Sequence, residues 1–222
     1  GFQTVPEVLL HRVSATPNNT AYSYPAGSGW KTVSWKEFGE QVKQIAMGLK
    51  SLGLTPEQRV AILSGTRYEW IAIDMGILCA AGATTTIYPS SLAEDCSYIV
   101  SDSDSVFAFA ENEEQVKKLM SVKAQMPGLK KIIVVDGKAS GDGFVITLQE
   151  LQELGKPASQ ADYEATAMLA KNDGIATLIY TSGTTGKPKG VILTHDCWVY
   201  EGEAINEMKL LVPDDVQFLW LP

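Results

Sequence analysis

Apolar positions recur at spacings of three and four after Ser34: Trp35, Phe38, Val42, Ile45, Leu49 and Leu52. That stripe predicts an amphipathic helix over residues 35–52. Ser34 and Glu37 form a capping box at its start, and Gly53 stands where a left-handed C-terminal cap is wanted. Residues 59–63, Arg-Val-Ala-Ile-Leu, read as a strand. Residues 69–81 read as a helix that is apolar nearly all round, hence buried. Residues 83–88 are rich in β-branched side chains and end at Pro89, another strand. The rhythm continues with a helix at 93–101, a strand at 105–110, a charged helix at 112–123 and a buried strand at 131–135. Thr147 and Glu150 make a second capping box before a short helix. Residues 138–143 read as a Gly-rich surface loop and residues 155–160 as a connector.

Strands alternating with helices predict an α/β domain with a layered, mainly parallel sheet flanked by helices. The first thirty residues differ. Residues 6–15 read as a helix, and 21–24 with 31–33 as a small hairpin around Gly27, Ser28 and Gly29. This piece is expected at the edge of the main sheet. Further on, residues 175–180 and 190–194 read as strands and 196–208 as a helix. The last seven residues, 216–222, form an apolar strand-like run. A run of that kind normally pairs with something, so the chain reads as a fragment.

The chain has 222 residues, enough for one large domain or two small ones. A chain of this length buries about 70% of the surface exposed on unfolding and needs no disulfide or metal staple. Lys plus Arg is 18 and Asp plus Glu is 26, a net charge of −8. That balance argues against a nucleic-acid partner and against electrostatic docking on an anionic membrane. The stretch 76–93 is the least charged, but Gly82, Pro89 and several hydroxyl residues make it a poor transmembrane span. Cys79, Cys96 and Cys197 are odd in number and widely spaced, so neither a zinc motif nor a disulfide framework can be read. A reducing, cytoplasmic setting is expected, with a peripheral position at the inner membrane face allowed.

One segment stands apart. Thr181, Ser182, Gly183, Thr184, Thr185, Gly186, Lys187, Pro188, Lys189 and Gly190 concentrate three glycines, four hydroxyls and two lysines. Glycines let successive N–H groups face one anion, hydroxyls add donors that can also ligate Mg2+, and the lysines add charge. Together these are the parts of a polyphosphate cradle. The plainer alternative is a Gly/Thr-rich hairpin loop with solvated lysines. A Walker A loop is excluded, because the gap from Gly183 to Gly186 is too short and Pro188 follows the first lysine. After Gly190 comes Val-Ile-Leu-Thr, a strand and not a helix N-terminus. The loop is therefore expected on a β-hairpin, holding phosphate by backbone amides and hydroxyls. Nothing obvious in the sequence pins residues 184–187, so a poorly ordered loop is expected without nucleotide.

Residues 180–191 resemble the signature loop of the adenylate-forming superfamily, which includes acyl-CoA synthetases, luciferases and peptide-synthetase adenylation domains. The resemblance extends to Thr32–Phe38, to 59–63, to Glu69-Trp70 and to Ala80-Ala81-Gly82-Ala83, in the expected order. Residues 86–91 and 214–222 look most like long-chain fatty acyl-CoA synthetases. The resemblance implies a partial N-terminal adenylation domain over residues 1–222. It also implies an ATP-dependent ligase: a carboxylate attacks the α-phosphate of ATP, and a thiol, usually coenzyme A, then takes the acyl group. The implied ATP-holding residues are Thr181, Ser182, Gly183, Thr184, Thr185, Gly186, Lys187 and Lys189. Lys189 matches the family's loop lysine and is the catalytic candidate; Thr181 is the candidate to touch Mg2+. The family's acyl and adenine pocket, Mg2+-binding glutamate, ribose-binding aspartate and C-terminal lysine all come later and are not in this sequence. A homodimer is left open.

Other residues invite weighing. His195 suits either a place near the phosphate loop or a satisfied strand–helix junction. Trp198 and Tyr200 suit either an acyl tunnel or core packing, with the core as the default. Glu201, Glu203 and Glu207 read as a solvated face, the segment from Arg67 to Trp70 as a helix cap, and Asp102 with Asp104 as a turn. Two further functions compete: adenylation of another acid for a carrier protein, and a non-enzymatic relative that only binds a partner. An intact loop with Thr184, Thr185 and Lys189 favours the enzyme.

Overall fold

A computed structural model describes residues 1–181, 187–212 and 215–219. Among these residues the elements run α1 Val5–Ala15, β1 Thr20–Ala26, β2 Gly29–Ser34, α2 Trp35–Ser51, β3 Arg59–Leu63, α3 Tyr68–Cys79, β4 Ala83–Ile87 and α4 Ala93–Asp102. They continue with β5 Ser105–Asn112, α5 Glu113–Ser121, β6 Lys131–Asp136, β7 Val145–Thr147, α6 Leu148–Gly155, α7 Gln160–Ala167, β8 Ile175–Thr181, β9 Lys189–Thr194 and α8 His195–Glu207.

Seven strands form one sheet in the order β7-β6-β5-β3-β4-β8-β9. Every ladder in it is parallel except β8 against β9. The central strands β3, β5 and β6 are buried on both faces, which is why their middles read as apolar runs. Period-two alternation divides them. Val60, Ile62, Phe107, Phe109 and Ile133 face the cluster that contains α2 and α3 residues. Ala61, Leu63, Ala108, Ala110, Ile132 and Val134 face the cluster built with α4 and α5.

Helix α2 follows its stripe: Phe38, Val42, Ile45 and Leu49 are buried. The capping box is made, with the Glu37 amide donating to Ser34 Oγ at 3.2 Å and the Ser34 amide donating to Glu37 Oε2 at 2.8 Å. Gly53 takes φ +90° as the cap requires. The second box, Thr147 with Glu150, is also made. Helices α2 and α6 approach until their backbones touch. A Cβ at Gly48 would lie 2.2 Å from the Leu151 carbonyl oxygen, and one at Gly155 would lie 2.0 Å from that of Gln44.

Three expectations need correcting. The hairpin β1–β2 does not sit at the sheet edge; it is a separate two-stranded sheet. It lies on α2 and α3 through rings: Tyr22 meets Phe38 at 4.8 Å, and Tyr24 stacks on Tyr68 at 4.5 Å. Burial of these rings outweighs what an edge strand could gain from backbone pairing alone. The connector at 155–160 leads into a further helix, α7, and a short strand β7 precedes α6. The apolar run at the end is no strand among the described residues. Val216, Phe218 and Leu219 are exposed there without ladder partners.

Candidate active site: the β8–β9 hairpin

Strand β8 carries Ala176, Thr177 and Leu178 into the buried sheet beside β4, then emerges at Thr181. The chain returns as β9, antiparallel, with Tyr180 opposite Gly190 and Thr181 opposite Lys189. The expected strand–loop–strand geometry is present, and the Walker A alternative is excluded by the ladder itself. Thr181 and Lys189 are exposed register partners at the mouth of the hairpin. They place one hydroxyl and one ammonium group side by side at the base of the Gly/Thr segment. Ser182, Gly183, Thr184, Thr185 and Gly186 lie outside the described residues, as does Asp214.

Lys187 is described and has a partner. Its Nζ lies 5.0 Å from the centroid of the Tyr98 ring, so the expectation that nothing pins this residue is corrected. The same Tyr98 donates its hydroxyl to the Pro188 carbonyl at 3.1 Å. One turn further along α4, Asp102 Oδ2 accepts the Tyr180 hydroxyl at 2.7 Å. The rings of Tyr98 and Tyr180 meet edge to face at 6.4 Å and 87°. Residues four apart share a helix face, so a single face of α4 touches both strands of the hairpin. Both phenols are pushed above the ordinary tyrosine range by burial first; next comes the Asp102 charge for Tyr98 and the hydrogen bond to Asp102 for Tyr180. They therefore remain protonated donors at neutral pH.

Gly190 has a specific reason to be glycine. A Cβ there would meet Tyr180 Cζ at 3.1 Å. The Tyr180 ring crosses this bare backbone on its way to Asp102. None of Tyr98, Asp102 or Tyr180 was singled out for this role from sequence. Tyr98 and Asp102 stand four apart on an amphipathic helix, but their partners are 78 and 90 residues away. A local pattern cannot reveal such pairs.

The remaining candidates separate cleanly. His195 is 2% exposed, and its Nδ1 accepts the Val5 amide at 3.4 Å. Burial lowers its pKa, with Glu57 opposing. It is a satisfied histidine that joins α8 to α1. Trp198 and Tyr200 are exposed and flank the buried Val199, so the core-packing expectation fails for both. Glu201, Glu203 and Glu207 form the solvated face expected of them. Arg67 occupies the cap position of α3 without capping it. It pairs instead with Glu69 at 2.6 Å and Asp136 at 2.6 Å, tying α3 to the end of β6. Asp104 pairs with Arg59 at 3.1 Å.

The donor set bears on Mg2+. No group of three or more His, Cys, Asp or Glu side chains is placed to hold a metal among the described residues. At the described mouth of the hairpin, Thr181 supplies a neutral hydroxyl. Mg2+ is usually held by one or two protein groups together with substrate phosphates and water. This end of the molecule therefore fits a cation that arrives with a nucleotide, not one caged by protein.

An α/β sheet ending in an antiparallel hairpin with this loop defines a class. Residues 9–222 match the pattern of the AMP-binding enzyme family, and the chain belongs to that family. It is 34% identical over 185 residues to a long-chain-fatty-acid–CoA ligase of Mycobacterium bovis, covering 83% of this chain and 30% of that one. A long-chain-fatty-acid–CoA ligase of Homo sapiens is 29% identical over 222 residues, covering 99% of this chain and 33% of that one. The chain thus spans about a third of the length of these curated relatives. Among solved structures, the fatty acyl-adenylate ligase of L. pneumophila, in complex with acyl adenylate and pyrophosphate, superposes with a TM-score of 0.74 at 24% identity. That match covers 100% of this chain and 35% of that one. An anthranilate CoA ligase in complex with anthranoyl-AMP gives a TM-score of 0.75 at 21% identity, covering 91% and 37%. These structures share the fold. Among the described residues no helix is long and apolar enough to cross a membrane.

Proposed function

We propose that this chain is the N-terminal, phosphate-holding part of an ATP-dependent acid–thiol ligase acting on a long-chain fatty acid. The observation that carries the reading is the hairpin, with Thr181 and Lys189 paired at its mouth on either side of the Gly/Thr segment. The identity to long-chain-fatty-acid–CoA ligases over most of the chain supports the substrate class.

In the first half-reaction, a fatty carboxylate oxygen attacks the α-phosphorus of ATP. The α,β-bridging P–O bond breaks, and pyrophosphate leaves. In the second, the sulfur of coenzyme A attacks the acyl carbon, and AMP leaves. This chain contributes to the first step by holding the β- and γ-phosphates. Residues 182–186 offer backbone N–H groups and hydroxyls, and Lys187 and Lys189 offer charge. Lys189 is the catalytic candidate, neutralising charge that builds on the departing pyrophosphate. Thr181 would share Mg2+ with the phosphates, and the ion would supply further charge neutralisation there. The surroundings are those of a cytoplasmic enzyme, met at the membrane face by its apolar substrate.

The test is fatty-acid-dependent ATP–pyrophosphate exchange. A polypeptide extended to the relatives' length should catalyse it. The 222-residue chain alone should show almost none, since each missing positioned donor typically costs about 10²–10³ in rate. Exchange by the short chain at the rate of the extended one would refute the assignment of roles.

A further inference from the structure

The hairpin is not held by its own ladder alone. One turn of α4, itself anchored in the core through Cys96, Ile99 and Val100, grips it from both strands. On the β8 side, Asp102 takes the Tyr180 hydroxyl. On the β9 side, the Tyr98 hydroxyl holds the Pro188 carbonyl, and the Tyr98 ring lies under the Lys187 ammonium. The two tyrosine rings brace each other edge to face. Gly190 leaves the space through which the Tyr180 ring passes. Among the described residues β9 has no strand on its other side, so the side chains of α4 help to fix this edge of the sheet.

We propose that Tyr98 and Asp102 are positioning residues for the polyphosphate site: together they hold the two strands of the hairpin at its mouth, where Thr181 and Lys189 face each other, and Tyr98 also aims Lys187. The inference rests on the phosphate-holding reading above and extends it to two residues outside the loop. Neither side chain is required to touch the nucleotide. Fixing Thr181, Lys187 and Lys189 in advance lowers the conformational entropy lost when they engage an anion. Parking a lysine over an aromatic face keeps its charge near the site while leaving the ammonium available to a stronger partner.

Asp102 makes the test sharp, because simple electrostatics and positioning predict opposite signs. Removing a carboxylate near an anion site should tighten anion binding if charge alone matters. Removing the acceptor of the Tyr180 bond should weaken it if position matters. Asp102→Ala and Asp102→Asn are equally neutral, but only Asn keeps an acceptor. The experiment titrates the 222-residue chain with inorganic tripolyphosphate, well below the melting temperature, so that only folded molecules report. Hydrogen exchange of amides 187 and 189–191 is followed in parallel. Asp102→Ala should bind roughly three- to tenfold more weakly, the scale of one lost hydrogen bond, while Asp102→Asn binds at least as well as the parent. Tyr98→Leu should weaken binding by a similar factor. Tyr98→Phe, which keeps the ring under Lys187 and loses the bond to Pro188, should fall between. Amides 187 and 189–191 should exchange faster in Asp102→Ala and Tyr98→Leu, with β3 and β6 unchanged. Should the parent bind tripolyphosphate and all four variants bind it equally, or Asp102→Ala and Asp102→Asn both bind more tightly, the positioning role is refuted. A parent that does not bind tripolyphosphate refutes the phosphate-holding reading, and this inference with it.

Discussion

Two hairpins in this molecule look alike on paper. Both are short, both have glycines near their tips, and both carry tyrosines on the first strand. They are held in opposite ways. The hairpin β1–β2 lies on α2 and α3 through Tyr22, Tyr24, Phe38 and Tyr68, a patch of ring contacts. The hairpin β8–β9 is held to α4 by two phenol hydrogen bonds and a cation over a ring. The first device is apolar and tolerant of small shifts. The second is directional and sets particular atoms at particular places. Glycine content alone therefore does not tell the two hairpins apart; the accompanying hydroxyls, lysines and directional anchors do.

The comparison can be broken most severely at Phe38, which is fully buried beneath the first hairpin. Phe38→Ala should cost about 3–5 kcal/mol in urea unfolding. Tripolyphosphate affinity of the remaining folded fraction should be unaffected. The mirror experiment is Lys189→Ala in the polypeptide of relatives' length. Adenylation should slow by about 10²–10³, and the urea midpoint should stay where it was.

The aspartates beneath the two hairpins differ as well. Asp74 of α3 accepts the Thr84 hydroxyl at 2.6 Å, and burial raises its pKa to about 6. Asp102 is exposed. An unfolded chain titrates its aspartates near 3.9. Between about pH 4 and pH 6 the folded protein therefore binds more protons than the unfolded one, and stability falls as pH rises through that window. The loss amounts to about 3 kcal/mol at 1.36 kcal/mol per pKa unit. Asp74→Asn should remove that slope in a pH series of thermal unfolding; an unchanged slope would place its origin elsewhere.

The smallest effects separate the glycines. Gly190→Ala places a methyl group against the Tyr180 ring and should cost about 1–3 kcal/mol, with loss of the Tyr180 bond to Asp102. Gly29→Ala in the first hairpin meets nothing within 4 Å and should stay within about 0.5 kcal/mol of the parent. Equal costs at the two positions would remove the distinction drawn between the hairpins.

What was legible in the sequence follows the range of the forces involved. Helix α2 announced itself because its stripe and its capping box are local. Strands β3 and β6 did so because burial on both faces leaves them nearly all apolar, and β4 did so through its β-branched Thr-Thr-Thr-Ile run. Helix α7 did not: Gln-Ala-Asp-Tyr-Glu-Ala-Thr-Ala has no apolar stripe. It is held by Tyr163 and Ala167 in the core, by its Ser159 cap and by the Lys50 ammonium donating to Thr166, a contact across 116 residues. The loop could be read because its chemistry is concentrated in ten consecutive positions. Its supports could not, because Tyr98 and Asp102 are ordinary surface-helix residues until the fold brings Pro188 and Tyr180 to them. Trp198 and Tyr200 show the converse error: aromatic identity suggested the core, while the helix phase puts Val199 inside instead.

The grip of α4 on the hairpin also has a consequence in time. Its bonds join residues 78 and 90 positions apart, whereas the capping boxes span three. Contacts that close long loops are expected to form after local ones, because the chain entropy they remove is larger. The expected order of assembly is α2 and the β3–β4 unit first, then the central parallel strands, with β8–β9 settling on α4 at the end. A molecule stopped one step short would look nearly complete by its helix content and by the signals of its buried Tyr68 and Tyr163. It would still lack the fixed mouth between Thr181 and Lys189. The capacity to hold phosphate would thus appear as the last event of folding, not in proportion to it.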